Sequence, residues 1–417
     1  MNYIYSEITG RTNFFGNTTP AELVEKYGTP LYVYNENILR KRCRELKNLV
    51  NYENFIVNYS AKANSNLELL KIVHDEGLYV DAMSPGEIFV NLKAGFSPEQ
   101  IFYISNNVDD AEFQYAIDAG VKISVDSLSQ LEKYGKLNPG GEVTFRLNPG
   151  VGAGHHKKVV TGGKKTKFGI EMRFLEDIKT IVEKYNLKVI GINQHIGSLF
   201  MEGDAYAESA AAILEFAKEF KDLEFIDLGG GFGIPYHKQE GQARLDLQSL
   251  GARITEIINR FVQEYGKEIQ FKIEPGRYIA AECGVLLGKV HTTKENYDLK
   301  YIGTDLGFNV LVRPMMYDSH HDVEIYRTSD KVSTKKESVR IVGNICETGD
   351  IIAKDRELPE IFEDDIIGVL DAGAYGMVMA SNYNNRLRPA EVLIDKDGNE
   401  RLTRKRDTLE DLVRNFV

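Results

Sequence analysis

Short apolar or alternating runs and stretches of helical periodicity take turns along most of this chain. β-rich runs fall at 55–59, 78–82, 101–104, 121–125, 142–147, 188–194, 223–228 and 270–273. Between them, at 85–93, 109–118, 127–136, 171–185, 204–220 and 244–264, apolar residues recur with the spacing of one helix face. Strands that alternate with helices predict parallel βα units. Eight such strands between residues 55 and 273 suit a closed (β/α)8 barrel, whose usual size is ~250 residues. The alternative is an open doubly wound sheet. The barrel is preferred because the polar residues described below all fall at strand ends and come from many different strands.

The pattern differs on either side of this region. Residues 1–35 read as an N-terminal segment with a strand at 31–34 and a helix start at Thr19-Pro20, and a further helix is predicted over 37–49. Beyond residue 280, helical periodicity gives way to alternating runs at 284–293, 299–305, 338–343 and 366–370, and only 408–416 again has a helical pattern. The expected organisation is therefore a 1–35 segment packed with a β domain, an α/β TIM-like barrel over 36–278, and a mostly antiparallel β-barrel or sandwich domain over 279–417.

Composition narrows the function. A chain of 417 residues exceeds one hydrophobic core, and 42% hydrophobic with 27% charged residues is the balance of a soluble globular protein. A net charge of −11 argues against nucleic acid or an anionic membrane as the main partner. No apolar run approaches the ~20 residues that span a bilayer. The opening residues lack a basic start followed by an apolar core, so no signal peptide is expected. Cys43, Cys283 and Cys346 are too widely spaced for a disulfide framework or a zinc pattern, which predicts a reducing, cytoplasmic compartment and no metal.

In a barrel of this kind the loops after the strands build the active site. Strand one leads to Lys62, between the small residues Ser60, Ala61 and Ala63. A lysine at the rim of an apolar barrel loses solvation, which frees its amine to form a Schiff base. Strand two supplies Asp81, strand five Arg146, and strand six ends in His195-Ile196-Gly197-Ser198. Strand seven runs into Gly229-Gly230-Gly231, and strand eight into Glu274-Pro275-Gly276-Arg277. Bare amides after strands seven and eight are a common phosphate cradle, although a glycine run alone is equally a flexible turn. His195 taken alone reads as a core histidine, and Arg146 as an ion-pair partner. A lysine, a phosphate cradle and a carboxylate between them are together what pyridoxal phosphate requires, with Glu274 holding a proton on the ring nitrogen.

These residues as a group resemble the alanine-racemase-like, barrel-fold pyridoxal-phosphate decarboxylases. The resemblance covers nearly the whole chain. It rests on Tyr59–Asn64, Asn148 to Gly169, His195–Ser198, Gly229–Gly231, Glu274–Arg277, Arg313–Tyr317, Cys346–Asp350, Asp371–Gly376 and Tyr383–Val392, in that order. It implies pyridoxal 5'-phosphate on Lys62, with His195 stacked on the ring and Glu274 at its nitrogen. Asp81, Arg146, Ser198, Gly230, Gly231, Gly276, Arg277 and Tyr375 would complete the cofactor site. Cys346 would be the acid that returns a proton to Cα after carbon dioxide leaves. Arg277, Arg313, Tyr317, Glu347 and Tyr375 would hold the far end of an amino-acid substrate.

Two arginines and a glutamate suit a far end that carries both a carboxylate and an ammonium, as in meso-2,6-diaminopimelate, which decarboxylation converts to L-lysine. The alternatives on this scaffold are a decarboxylase of ornithine, arginine or carboxynorspermidine type, and a racemase. The resemblance further implies a homodimer with shared active sites. The Gly- and Lys-rich segment 150–167 is a candidate for a loop that closes over the site.

Overall fold

Eight strands pair side by side in chain order, all parallel: Phe55–Tyr59, Tyr79–Ala82, Ile101–Ile104, Lys122–Val125, Glu142–Asn148, Lys188–Gln194, Phe225–Asp227 and Gln270–Ile273. The eighth returns to the first through Lys272 opposite Ile56 and Ile273 opposite Val57, so the ring is closed. The (β/α)8 barrel is thus present and the open sheet is excluded. Its strands are buried on both faces, the polar residues Asn58, Asp81, Ser124, Thr144 and Lys272 included.

This computed structural model describes residues 2–150, 153–154, 166–327, 329–331, 333 and 335–417, so most of the candidate closing segment 150–167 lies outside the described residues. The chain divides into two units, one comprising 40–234 and 244–279, the other 1–39, 235–243 and 280–417.

In the barrel unit, polar side chains start the helices that follow the first four strands. Asn66, Ser84, Asp109 and Ser127 each accept a backbone N–H of the first turn, at 3.0, 3.2, 2.9 and 3.2 Å. Each such cap contributes about 1 kcal/mol and fixes where the preceding loop ends. The long helix Leu247–Tyr265 buries Leu250, Ile254, Ile258 and Phe261, a stripe at helical spacing.

The second unit is built on a ten-stranded sheet. Its pairings are antiparallel except Leu31–Asn35 beside Ala390–Ile394 and Leu299–Thr304 beside Lys336–Val342. Leu31, Val33, Val285, Leu287 and Val392 meet in its core. The helix expected over 408–416 does not form: only Glu410–Leu412 makes a 3-10 turn, and Leu409, Val413 and Phe416 are exposed. A short periodic stretch without a surface to pack on lacks the tertiary contacts that stabilise a helix. Among the described residues no helix is long and apolar enough to cross a membrane.

Candidate active site

The strand-end residues of the barrel unit are knitted to one another by short bonds. Ser60 N donates to Pro275 O at 3.1 Å, tying the loop after strand one to that after strand eight. Glu274 N donates to Gly229 O at 3.1 Å, and Gly230 N to His195 Nδ1 at 3.1 Å. Loops one, eight, seven and six therefore form one continuous rim.

Lys62 lies in the 3-10 turn Ala61–Ala63. Below it, Asp81 is fully buried and accepts Ser60 Oγ at 2.6 Å and Ala61 N at 2.9 Å. Burial pushes the Asp81 carboxyl above the usual range, and the Lys62 charge opposes that shift. The Lys62 charge also reaches Glu87, His195 and Glu274. The amine is thus electrostatically in touch with strands two, six and eight at once.

His195 is half-buried, and its Nδ1 accepts from Gly230, so the ring proton belongs on Nε2. Burial first, then Lys62 and Arg146, hold its imidazole well below the ordinary histidine range. It is neutral at neutral pH. Arg146 is buried, with its guanidinium 4.5 Å from the Phe168 ring and Nη2 donating to His195 O at 3.3 Å. Burial lowers it to about 10, against the pull of Glu274 and Asp126.

Glu274 is 4% exposed, and among the described residues its Oε1 has no hydrogen-bond partner. Burial, then Asp227 and Asp81, hold its carboxyl well above the usual range. A buried carboxyl oxygen without a partner is costly unless a ligand satisfies it. Behind Glu274, burial pushes Asp227 up to about 7 and Lys272 down to about 7. Lys272 Nζ lies 4.0 Å from the Phe225 ring centre.

The glycine loop leaves its backbone bare for a steric reason. A Cβ on Gly230 would stand 1.8 Å from Glu274 O, and Gly231, at φ +108°, would drive one to 2.5 Å from Gly197 O. Asp227 Oδ1 accepts Gly229 N at 2.8 Å, and the buried Tyr206 hydroxyl donates to Gly229 O at 2.9 Å. On the neighbouring loops Arg277 Nη2 donates to Ser198 Oγ at 3.0 Å, and Gly276 lies against Ser60 and Ala63. The pyridoxal phosphate that the sequence implies fits this set. Glu274 Oε1 offers a partner for a ring nitrogen, and the bare loop offers amides for a phosphate.

Ten of the expected site residues therefore gather on the barrel unit: Lys62, Asp81, Arg146, His195, Ser198, Gly230, Gly231, Glu274, Gly276 and Arg277. The other five lie on the second unit, spread over three segments. Arg313 opens the short helix Arg313–Tyr317 and is 1% exposed. Its Nη1 lies 2.7 Å from His321 Nε2, its Nη2 donates to Ser319 Oγ at 3.3 Å, and its guanidinium covers Tyr236 at 4.6 Å. His321 Nδ1 lies 2.7 Å from Leu370 O, so that ring donates to the carbonyl and accepts from the arginine.

Tyr317, half-buried, ends the same helix. Cys346 is a free, exposed thiol, and exposed Glu347 accepts the Tyr383 hydroxyl at 2.6 Å. Their loop is anchored by Asp350, which accepts Phe308 N at 2.6 Å and Ile345 N at 2.7 Å. Tyr375 sits at φ +56° in the loop after Ile366–Val369.

Sequence reasoning named neither Asp227 and Lys272 as a charged pair nor Glu87 as a neighbour of Lys62. Burial pushes Glu87 up to about 7, with Asp81 adding to the shift. The signal for Asp227 was its place at the end of strand seven, two residues before the glycine run. Lys272 gave none, because a lysine within a strand reads as facing outward.

The family model described as pyridoxal-dependent decarboxylase, pyridoxal binding domain, matches residues 36–281. The diaminopimelate decarboxylase of Methanothermobacter thermautotrophicus is 41% identical over 96% of this chain and 94% of its own length. Two solved structures carry the likeness to the whole fold. The diaminopimelate decarboxylase of M. jannaschii in complex with L-lysine has a TM-score of 0.84 at 34% identity, covering 95% of this chain and 94% of that one. The Helicobacter pylori diaminopimelate decarboxylase with L-lysine has a TM-score of 0.87 at 29% identity, covering 95% and 98%.

Proposed function

Because this chain belongs to the pyridoxal-dependent decarboxylases, and within them to the diaminopimelate decarboxylases, we propose the following division of labour for the conversion of meso-2,6-diaminopimelate to L-lysine. The observation that carries it is the buried, unpartnered Glu274 Oε1 within reach of the Lys62 charge. When bound, pyridoxal phosphate supplies an electron sink for the pair left as the Cα–carboxylate bond breaks.

Lys62 would hold the cofactor through its amine, with Asp81 supporting the turn beneath. Glu274 would hold a proton at the ring nitrogen, and the neutral imidazole of His195 would lie against the ring. Gly230, Gly231, Ser198, Gly276, Arg277 and Tyr375 would surround the phosphate. Arg146 sets the charge balance beside Glu274.

At the substrate's far end, Arg277, Arg313 and Tyr317 would take the carboxylate, and Glu347 the ammonium. A substrate without a far carboxylate, such as ornithine, leaves both arginines unmatched and repels them. Cys346 would deliver the proton to Cα once carbon dioxide has gone. Its exposure, and that of Glu347, suits a loop that completes the site of a second copy, hence a homodimer with shared sites. Free thiols at all three cysteines suit a reducing, cytoplasmic setting.

Carbon dioxide release from a panel of meso-diaminopimelate, lysine, ornithine and arginine tests this reading. Release from diaminopimelate alone is expected. Faster release from ornithine or arginine would remove Arg313 and Glu347 from the substrate pocket.

A further inference from the structure

The second unit carries a cluster that the decarboxylase chemistry does not use. His237, Glu240 and His320 place one ligand atom each within 4.8 Å of one another. His237 Nδ1 and Glu240 Oε2 are 3.1 Å apart, and the two imidazoles stack at 3.7 Å between ring centres. The turn that bears the first two is stiff. Glu240 N and Gln242 N both donate to His237 O, His237 N donates to Gln242 Oε1, and Gln239 Nε2 donates to Val323 O at 2.7 Å.

One buried carboxylate joins both halves of the cluster. Asp322, 1% exposed, accepts Gln239 N at 3.0 Å through Oδ2, while its Oδ1 lies 2.9 Å from His320 Nε2. Arg356 Nη1 is 3.0 Å from the same Nε2, and Arg356 Nη2 donates to His321 O, so the Nε2 side of the ring is engaged within the protein. In the tautomer that donates Nε2–H to Asp322 Oδ1, the lone pair a cation needs lies on Nδ1 of His320. A carboxylate behind a histidine is the arrangement that orients metal-ligating imidazoles and raises their basicity.

We propose that His237, Glu240 and His320 form a site for a late first-row divalent cation of the zinc class. Two imidazoles and one carboxylate are a donor set that such ions favour over magnesium or calcium. Glu240 is exposed and His237 partly so, which gives the ion an entry path and leaves coordination positions for water. The negative charges of Glu240 and Asp322 outweigh the single positive charge of Arg356. A bound ion would staple the 237–240 turn to the segment that precedes strand Val323–Arg327. The sequence spacing hides this site, because the third donor comes from residue 320.

The test is titration of chelator-stripped, cofactor-loaded protein with Zn2+ against a chromophoric chelator. One equivalent bound with micromolar or tighter affinity is expected. His237→Ala and His320→Ala should each weaken binding roughly 100-fold or more, and Asp322→Asn roughly 10- to 100-fold. Cys346→Ala should leave the stoichiometry unchanged. Should His320→Ala fail to fold, the mostly exposed Glu240→Gln keeps the question open to measurement, with weakened binding again expected. Absence of a stoichiometric site, or zinc that survives the ligand substitutions, overturns the proposal.

Discussion

Replacing Glu274 by glutamine separates what this carboxyl does for catalysis from what it costs the fold. The substitution keeps shape and one acceptor oxygen but can no longer carry negative charge. Its partner in the loaded enzyme is a protonated ring nitrogen, so the bond lost is charge-assisted. Hydrogen bonds to charged groups are worth about 1.5–3 kcal/mol, which predicts a roughly 10- to 150-fold fall in kcat/KM at saturating cofactor.

Stability of the cofactor-free chain should move the other way. Burial, Asp227 and Asp81 hold the Glu274 carboxyl well above its unfolded value. Between those two values the folded state binds the extra proton. The stability this brings is fully present below the unfolded value and is lost as pH rises through the folded one, at about 1.4 kcal/mol per pH unit for one group. Glutamine has no such proton to lose. The variant's Tm should therefore fall less steeply with rising pH than that of the parent, whereas Asp227, pushed up to about 7, keeps its share of the slope. Decarboxylation followed by carbon dioxide release, and thermal melts of both apo proteins across pH, measure the two arms. Parental turnover in the variant, or parallel Tm–pH curves, would refute the reasoning.

Cys346→Ala should lower kcat by roughly 10²- to 10⁴-fold and leave cofactor absorbance intact, since the exposed thiol supports no packing. Mixing Cys346→Ala chains with Lys62→Ala chains should regenerate turnover if sites are shared between copies, and none if they are not. Gly230→Ala should abolish cofactor retention and lower Tm by an amount equivalent to about 1–3 kcal/mol, because the new methyl collides with Glu274 O; unchanged cofactor titration would take this loop out of the phosphate site. Arg313→Lys keeps the charge but loses the fork, so KM for diaminopimelate should rise roughly tenfold or more with cofactor affinity unchanged. Equal loss of both would detach Arg313 from the substrate.

The barrel was legible because its signals are local. Short β-rich runs, the first four of them leading to helices capped by a polar side chain, mark parallel strands without any knowledge of the partner strand. Once eight are counted, chain order alone assigns Lys62, His195, Gly230 and Glu274 to one rim. What escaped the sequence is what closes across the ring or across the sheet. Asp227 and Lys272 come from strands seven and eight, and their mutual charge shows only when both are buried. His321 fixes Arg313 only because Leu370 O, far along the chain, takes its other nitrogen. The segment 235–243 clusters with the β-rich unit although it lies between barrel elements in sequence. The pattern at 408–416 misled for the opposite reason: it has the period of a helix but no surface to bury it.

The most direct measurement is borohydride reduction of the loaded enzyme followed by peptide mapping. The account predicts a single reduced pyridoxyl adduct at Lys62, absent in Lys62→Ala. An adduct on another lysine, or a protein that gains no pyridoxal absorbance at all, would contradict it.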